Sequence, residues 1–248
     1  MFKVLKPRSI PLKTIRTYHS TSHIGTNKII NENLIESKIL NKAVEYIPKY
    51  GFNSTEPITK AIRDLSYSDS IISLFSSNPS GNSLPFQLTL YWLNLKRLEL
   101  ENFAQSTTTT SSNEIQNLQN LIIERLMYNK PVINKLQEAM SLLILPYNIP
   151  QSLEEIMKLS DDLTFYAGDK SNDFNWYSKR FSVGAIYLKS ELFMLNDTSL
   201  DFTMTKQFVV EKCEEFEMLG NGIINIEQWV EFNAISLVNL IKSQLIRG

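Results

Sequence analysis

The stretch Ile39–Phe75, which reads ILNKAVEYIPKYGFNSTEPITKAIRDLSYSDSIISLF, decides the fold class. Its apolar residues recur at helical spacing, and Gly51 and Pro57 mark the end of a first helix and the first turn of a second. A short third helix is expected over Ser68–Ser76. Three short helices in this order predict a helix-turn-helix-like module.

The module lacks the charge that DNA binding requires. Between Arg63 and Lys96 the chain carries no Lys or Arg, and the expected third helix offers Asp69 instead. Neutralisation of phosphates supplies most of the affinity of a protein for a duplex. We therefore expect no nucleic-acid partner, and the function must lie in the helices that follow.

Helical patterns continue to the end of the chain, with no hairpin signal or sustained alternation. The sequence predicts an all-α fold in a single domain over 33–248. Its parts are the helix-turn-helix-like part (33–76), a helical core (84–219) and an amphipathic C-terminal helix (226–248). The expected helices are Asn33–Tyr50, one capped by Ser54 or Thr55, Ser68–Ser76, Pro85–Phe103, 114–129, 131–145, 151–167, 173–196, 202–219 and 226–246.

The N-terminus, residues 1–31, resembles a mitochondrial transit peptide. It contains six Lys or Arg residues and many Ser and Thr, and the first acidic residue is Glu32. The tripeptide at 16–18, Arg-Thr-Tyr, predicts cleavage just after Tyr18. Loss of residues 1–18 removes five cations and moves the formal charge from −1 to −6. The alternative is a basic tail on a cytosolic protein.

The residue inventory restricts the chemistry. The only histidines are His19 and His23, beside or within the expected leader, and the only cysteine is Cys213. These counts exclude His-dependent nucleophile triads, HExxH and Cys/His zinc sites and the ExxH di-iron motif in the folded body. No GxGxxG or P-loop pattern is present. No metal or cofactor is expected, and the adjacent acids Asp161 and Asp162 are interpreted as solvated or capping.

The segment 173–196 carries two apolar stripes. The first is predicted to face the core and consists of Tyr177, Phe181, Gly184, Ala185, Leu188, Leu192 and Leu195. Trp176, Val183, Tyr187 and Met194 point about 100° or more away. A large aromatic off the core stripe and beside Arg180 is typical of an interface anchor, and a helix buried on two sides is the alternative.

The last helix has more apolar residues than one packed face needs. Lys242 and other polar residues interrupt it, so it cannot span a bilayer. Trp and basic residues favour contact with a membrane surface, whereas a dimer contact is the alternative. The candidate membrane-binding residues are Trp229, Phe232, Ile235, Leu240 and Lys242.

The string Gly168–Arg180, GDKSNDFNWYSKR, preceded by Leu-Ser-Asp-Asp at 159–162, resembles the mitochondrial accessory proteins of ubiquinone biosynthesis that are ninth of the COQ series. The C-terminal NLIKSQLIRG is similar to the fungal branch. The resemblance runs from about residue 35 to the end, and only the connector Gln105–Asn113 lacks an obvious counterpart.

The resemblance implies a TetR-like, all-helical, dimeric fold that binds isoprenoid lipids rather than DNA. It also implies a non-enzymatic role, in which the protein presents ubiquinone intermediates to demethoxyubiquinone hydroxylase and the coenzyme Q biosynthetic complex at the mitochondrial inner membrane. The expected partner-binding residues are Asp173, Asn175, Trp176, Tyr177 and Arg180. A prenyl chain suits large, flexible apolar side chains, and the candidates are Leu90, Leu93, Met140, Leu143, Phe165, Tyr187, Phe193 and Phe208.

Two other functions remain open at this point. A TetR-like transcription factor requires duplex binding with a steep dependence on salt. A hydrolase that uses Asp161, Asp162 or Tyr166 requires a carboxylate with a strongly raised pKa in a cleft.

Overall fold

Ten α-helices occur in the part of the chain that the structure describes. The structure is a computed structural model, and it describes residues 30, 33–76, 81–106, 113–169 and 174–220, together with 235, 239, 242 and 243. No strand occurs in these ranges, so the all-α class is confirmed. The helices are α1 (Ile35–Val44), α2 (Ile47–Tyr50), α3 (Glu56–Asp64), α4 (Ser73–Ser76), α5 (Leu84–Ser106), α6 (Glu114–Met127), α7 (Ile133–Leu143), α8 (Ile149–Ala167), α9 (Phe174–Met194) and α10 (Thr203–Gly220).

The first expected helix is in fact two helices, α1 and α2. Pro48 is the reason, because it has no N–H to donate to the carbonyl of Val44 and its ring clashes with the preceding turn. The prediction of one continuous helix over Asn33–Tyr50 was wrong at this point. The second expected helix is α3. Its N-cap residue is Thr55, whose side chain makes no capping bond, while Ser54 Oγ accepts a hydrogen bond from the Glu56 N–H at 3.0 Å.

The third helix of the N-terminal part is also less regular than predicted. It begins as a 3-10 turn, Asp69–Ile72, and continues as the four-residue α4. Arg63 pairs with Asp69, with Nη2 and Oδ2 3.3 Å apart, so this flanking cation is engaged with an acid. Glu138 of α7 links this N-terminal part to the helices that follow. Its Oε2 accepts hydrogen bonds from the Phe52 and Asn53 N–H groups.

Two apolar clusters form the core. The first joins α1, α2 and α3 to α5 and α7, and the second lies among α5, α6, α8, α9 and α10. Trp92 belongs to the first cluster and Tyr187 to the second. No helix in the described part of the chain is long and apolar enough to cross a membrane.

A glycine ends α8 and sets the position of the residue that follows. Gly168 has φ 100°, a left-handed conformation that favours glycine. Its N–H donates to Phe165 O at 3.0 Å, and the Asp169 N–H donates to Thr164 O at 3.1 Å, which is a Schellman cap. The cap turns the Asp169 side chain back toward α9.

Candidate functional site

A buried ionic cluster joins α8 to α9. Arg180 Nε donates to Asp161 Oδ1 at 2.5 Å, and Arg180 Nη1 donates to Asp169 Oδ2 at 3.1 Å. All three side chains are at most 4% exposed. Lys179 Nζ lies 2.9 Å from Asp169 Oδ1 and also pairs with Glu114 of α6. The cluster therefore fixes the start of α9 against α8 and α6.

Arg180 also supports the aromatic pair at the start of α9. Its guanidinium carbon lies 3.9 Å from the centre of the Trp176 ring, and the rings of Trp176 and Tyr177 meet edge to face at 4.7 Å. Trp176 is half-buried, whereas Tyr177 is 65% exposed. Arg180, expected to bind a partner, is itself buried, so its guanidinium positions the two aromatic rings from beneath.

A second buried cluster lies on the other side of α8. Arg97 of α5 donates through Nε to Glu155 Oε1 at 2.6 Å, through Nη1 to Asp162 Oδ2 at 3.0 Å and through Nη2 to Asn94 Oδ1 at 2.8 Å. Burial raises the pKa of Glu155, an effect that Arg97 opposes. The interpretation of Asp161 and Asp162 as solvated or capping was wrong.

These two clusters bear on the hydrolase alternative. Asp161 and Asp162 diverge by about 100° around α8 and pair with two different arginines, so they do not face one reacting atom. Burial raises the pKa of Tyr166, which keeps its hydroxyl protonated at neutral pH. Among the described residues, no three His, Cys, Asp or Glu side chains are grouped to hold a metal ion.

Beyond its first two turns α9 is buried on both stripes, as in the alternative of a helix buried on two sides, and only the start of the expected core stripe is exposed. Val183, Tyr187 and Met194, expected off the core stripe, are at most 2% exposed. Tyr177 and Phe181, expected to face the core, are 65% and 41% exposed. The first two turns of α9 therefore present apolar side chains to solvent.

α8 contributes to the same exposed surface. The helices are antiparallel, and a carbon added at Gly184 would lie 3.5 Å from Ser160 Oγ and 3.6 Å from Ile156 Cγ1. Gly184 of α9 therefore faces Ile156 and Ser160 of α8. Successive residues of a helix are rotated by about 100° around its axis, and this places Leu153 and Met157 of α8 and Phe181 of α9 on one side of the helix pair.

We call this surface the α8–α9 apolar face, which consists of Ile149, Leu153, Met157, Tyr177 and Phe181, each 40% exposed or more. The sequence analysis missed the three α8 residues, although their spacing of four was a usable signal. Exposed large apolar side chains concentrated on one helix pair are candidates for a binding site.

The candidate lipid-binding residues do not converge on one place. Leu90, Leu93 and Leu143 pack against the first core cluster, whereas Tyr187 is buried in the second. The remaining four lie apart: Met140 is buried on α7, Phe165 contacts Tyr166 edge to face at 5.6 Å, and Phe193 and Phe208 stack at 4.7 Å between α9 and α10.

Several candidate residues lie outside the described residues. These are Asp173, Trp229, Phe232 and Leu240, and for Asn175 only the backbone, within α9, is described. Ile235 and Lys242 are helical and exposed. Their role in membrane binding stays a prediction.

Fold and surface together define an all-helical protein with buried, arginine-paired carboxylates and an exposed apolar face on one helix pair. The COQ9 family model matches residues 149–220, a range that spans α8, α9 and α10. This range contains the whole apolar face and the Arg180 cluster.

Similar proteins extend the match over most of the chain. The chain is 32% identical over 232 residues to "Ubiquinone biosynthesis protein coq9, mitochondrial" of Schizosaccharomyces pombe, covering 92% of this chain and 87% of that relative. The relative from Saccharomyces cerevisiae is 31% identical over 251 residues, with 95% and 96% covered. The relative from Homo sapiens is 33% identical over 193 residues, with 77% and 60% covered. The chain belongs to the COQ9 family, which supports a role in ubiquinone biosynthesis and confirms the resemblance carried by Gly168–Arg180.

Proposed function

We propose that this protein is a non-enzymatic, lipid-binding accessory factor of ubiquinone biosynthesis. In this proposal it binds isoprenoid quinone intermediates and presents them to demethoxyubiquinone hydroxylase and the associated biosynthetic complex. The observation that carries the proposal is the α8–α9 apolar face, which lies within the range matched by the family model. The pairing of Asp161 and Asp162 with arginines is also compatible with a binding role.

The face has the composition of a protein-docking surface. The exposed ring of Tyr177 packs edge to face against the Trp176 ring, and the Arg180 guanidinium packs over the Trp176 ring. Pre-organised aromatic anchors surrounded by apolar side chains carry much of the binding energy of protein interfaces. We therefore assign the face to the hydroxylase, with Tyr177 and Phe181 as its anchors.

Binding of the purified hydroxylase tests this assignment. Replacement of a central aromatic anchor costs about 2 kcal/mol, so Tyr177→Ala is expected to weaken binding about 30-fold. Leu200→Ala is the matched control, because Leu200 is 90% exposed, lies in the 3-10 turn before α10 and is not one of the five residues of the face. Tyr177 is a sharper choice than Trp176, whose loss would also disturb the Arg180 cluster. Equal affinity of Tyr177→Ala and Leu200→Ala would contradict the assignment.

Native mass spectrometry tests the lipid part of the proposal. The protein is expected to carry a prenylated lipid, and identification of that lipid settles its class. Support comes from family membership and from large aromatic and aliphatic side chains such as the stacked Phe193 and Phe208 between α9 and α10. Recovery of the protein with no lipid, both from cells and after incubation with short-chain quinones, would contradict this part.

We further propose that the protein is mitochondrial, homodimeric and bound to the matrix face of the inner membrane. The relatives are named mitochondrial, and the basic, Ser/Thr-rich residues 1–31 match an import signal. Import into isolated mitochondria, followed by carbonate extraction, is expected to yield a shortened, extractable protein. A full-length protein that stays outside would contradict the proposal.

The second candidate, a TetR-like DNA-binding regulator, draws on the contact of α1 with α3 and of α3 with the 3-10 turn before α4. The pairing of Arg63 with Asp69 argues against it, because that cation is engaged. Fluorescence anisotropy with duplex DNA decides between the two. Submicromolar, sequence-selective binding at physiological salt would favour the regulator.

A further inference from the structure

A third polar cluster lies in the middle of the molecule, where α5, α6 and α9 meet. Arg125 of α6 is 0% exposed, and its guanidinium carbon lies 5.7 Å from the centre of the Trp92 ring and 5.5 Å from that of Tyr187. Because Trp92 and Tyr187 belong to different core clusters, Arg125 stands at the junction of the two. Neither the ion pairs of α8 nor the apolar face involves it.

The hydrogen bonds of this cluster leave one edge of Arg125 free. Arg125 Nη1 donates to Asn129 Oδ1 at 3.0 Å. Glu191 Oε1 accepts from Asn129 Nδ2 at 2.7 Å and from Tyr187 OH at 2.9 Å. Nε and Nη2 of Arg125 are buried and have no acceptor among the described residues. These two nitrogens share one edge of the planar guanidinium, so their free N–H groups point in the same direction.

Comparison with Arg97 shows that the free edge is unusual in this protein. Arg97 is also buried, yet its Nε, Nη1 and Nη2 each donate to an oxygen of Glu155, Asp162 or Asn94. A buried donor without an acceptor is strongly unfavourable, and such groups in folded proteins are few. Two donors without acceptors on one edge of the buried Arg125 guanidinium require a particular reason, and binding of a ligand oxygen is such a reason.

We infer that the free edge of Arg125 binds two neighbouring oxygens on a flat ring, beside the aromatic side chains of Trp92 and Tyr187. The inference rests on the proposed function and deepens it, because it identifies the part of the ligand that is recognised. An edge with two parallel donors selects two adjacent acceptors, and flanking aromatic side chains select a flat ring. Arg125 is thus assigned as a binding residue for the oxygenated head ring of a quinone lipid rather than for its tail.

Two soluble quinones, of which only one carries methoxy oxygens on the ring, test the inference. Decylubiquinone carries two neighbouring methoxy groups, and decylplastoquinone carries methyl groups at those two positions. We expect the full chain to bind decylubiquinone about tenfold more tightly, because a hydrogen bond to a charged group is worth about that factor. Arg125→Lys retains the charge but lacks the paired edge, so it should remove the preference. Arg63→Lys, at an exposed arginine, should retain it.

A readout on the unaltered protein keeps the test independent of the folding of the variant. The NMR signal of the Arg125 Nε–H should shift with decylubiquinone and not with decylplastoquinone. Equal affinity for the two quinones, with no selective shift, would overturn the inference while lipid binding stands. Failure of both quinones to bind would instead overturn the proposed lipid-binding function, and the inference with it.

Discussion

Replacement of Arg180 by alanine is expected to destabilise the fold strongly. The change removes a partner of Asp161 and a partner of Asp169, and both carboxylates are 3% exposed. Removal of one member of a buried ion pair typically costs about 3–5 kcal/mol. Because Lys179 still pairs with Asp169, we expect a loss near the lower end, about 3 kcal/mol in the free energy of unfolding.

Urea unfolding followed by circular dichroism measures this loss, and Arg63→Ala is the control. Arg63 and Asp69 form an ion pair whose side chains are 59% and 60% exposed, so its removal should cost less than about 1 kcal/mol. If the two variants lose the same stability, the cluster does not hold α9 against α8, and the reasoning is refuted.

Three further predictions concern separate parts of the chain. Burial raises the pKa of the Cys213 thiol to about 12, so Ellman's reagent at about pH 8 should label it only in urea, and rapid labelling of the native protein would contradict its burial. Burial acts to raise the pKa of Asp197, but hydrogen bonds from Ser199 and Thr205 outweigh it and lower this pKa to about 2. Asp197 should therefore add about 1 kcal/mol of stability above about pH 4 that is lost as the pH falls toward 2, and Asp197→Asn should lack this acid dependence in urea unfolding. Truncation after Asn225 should abolish a cardiolipin-dependent flotation with liposomes, whereas loss of dimerisation would favour the alternative that the last helix is a dimer contact.

The helices were predictable where local residues determine them. Gly168 ends α8 where the sequence analysis placed its end, because a left-handed cap favours glycine. Pro48 carried an equally local signal, but the apolar pattern around it suggested one continuous helix. The break between α1 and α2 therefore follows from the effect of proline on a helix, which the spacing of apolar residues does not reveal.

The site was less predictable, since its contacts join residues that are distant in sequence. Asp162 pairs with Arg97, 65 positions earlier, and no local pattern indicates this partner. Helical periodicity identified the two stripes of α9 but not how far along the helix its neighbours cover each of them. Tyr177 and Phe181 are consequently exposed where core packing was expected.

We propose that the α8–α9 apolar face serves the hydroxylation of demethoxyubiquinone. The most direct measurement is the ratio of ubiquinone to demethoxyubiquinone in Saccharomyces cerevisiae cells that lack their own COQ9 relative and express this protein. We predict that the unaltered chain and Leu200→Asp restore ubiquinone. Phe181→Asp, which places a charge in the face, should be present at equal level yet accumulate demethoxyubiquinone. Restoration of ubiquinone by Phe181→Asp to the level reached by Leu200→Asp would contradict the claim.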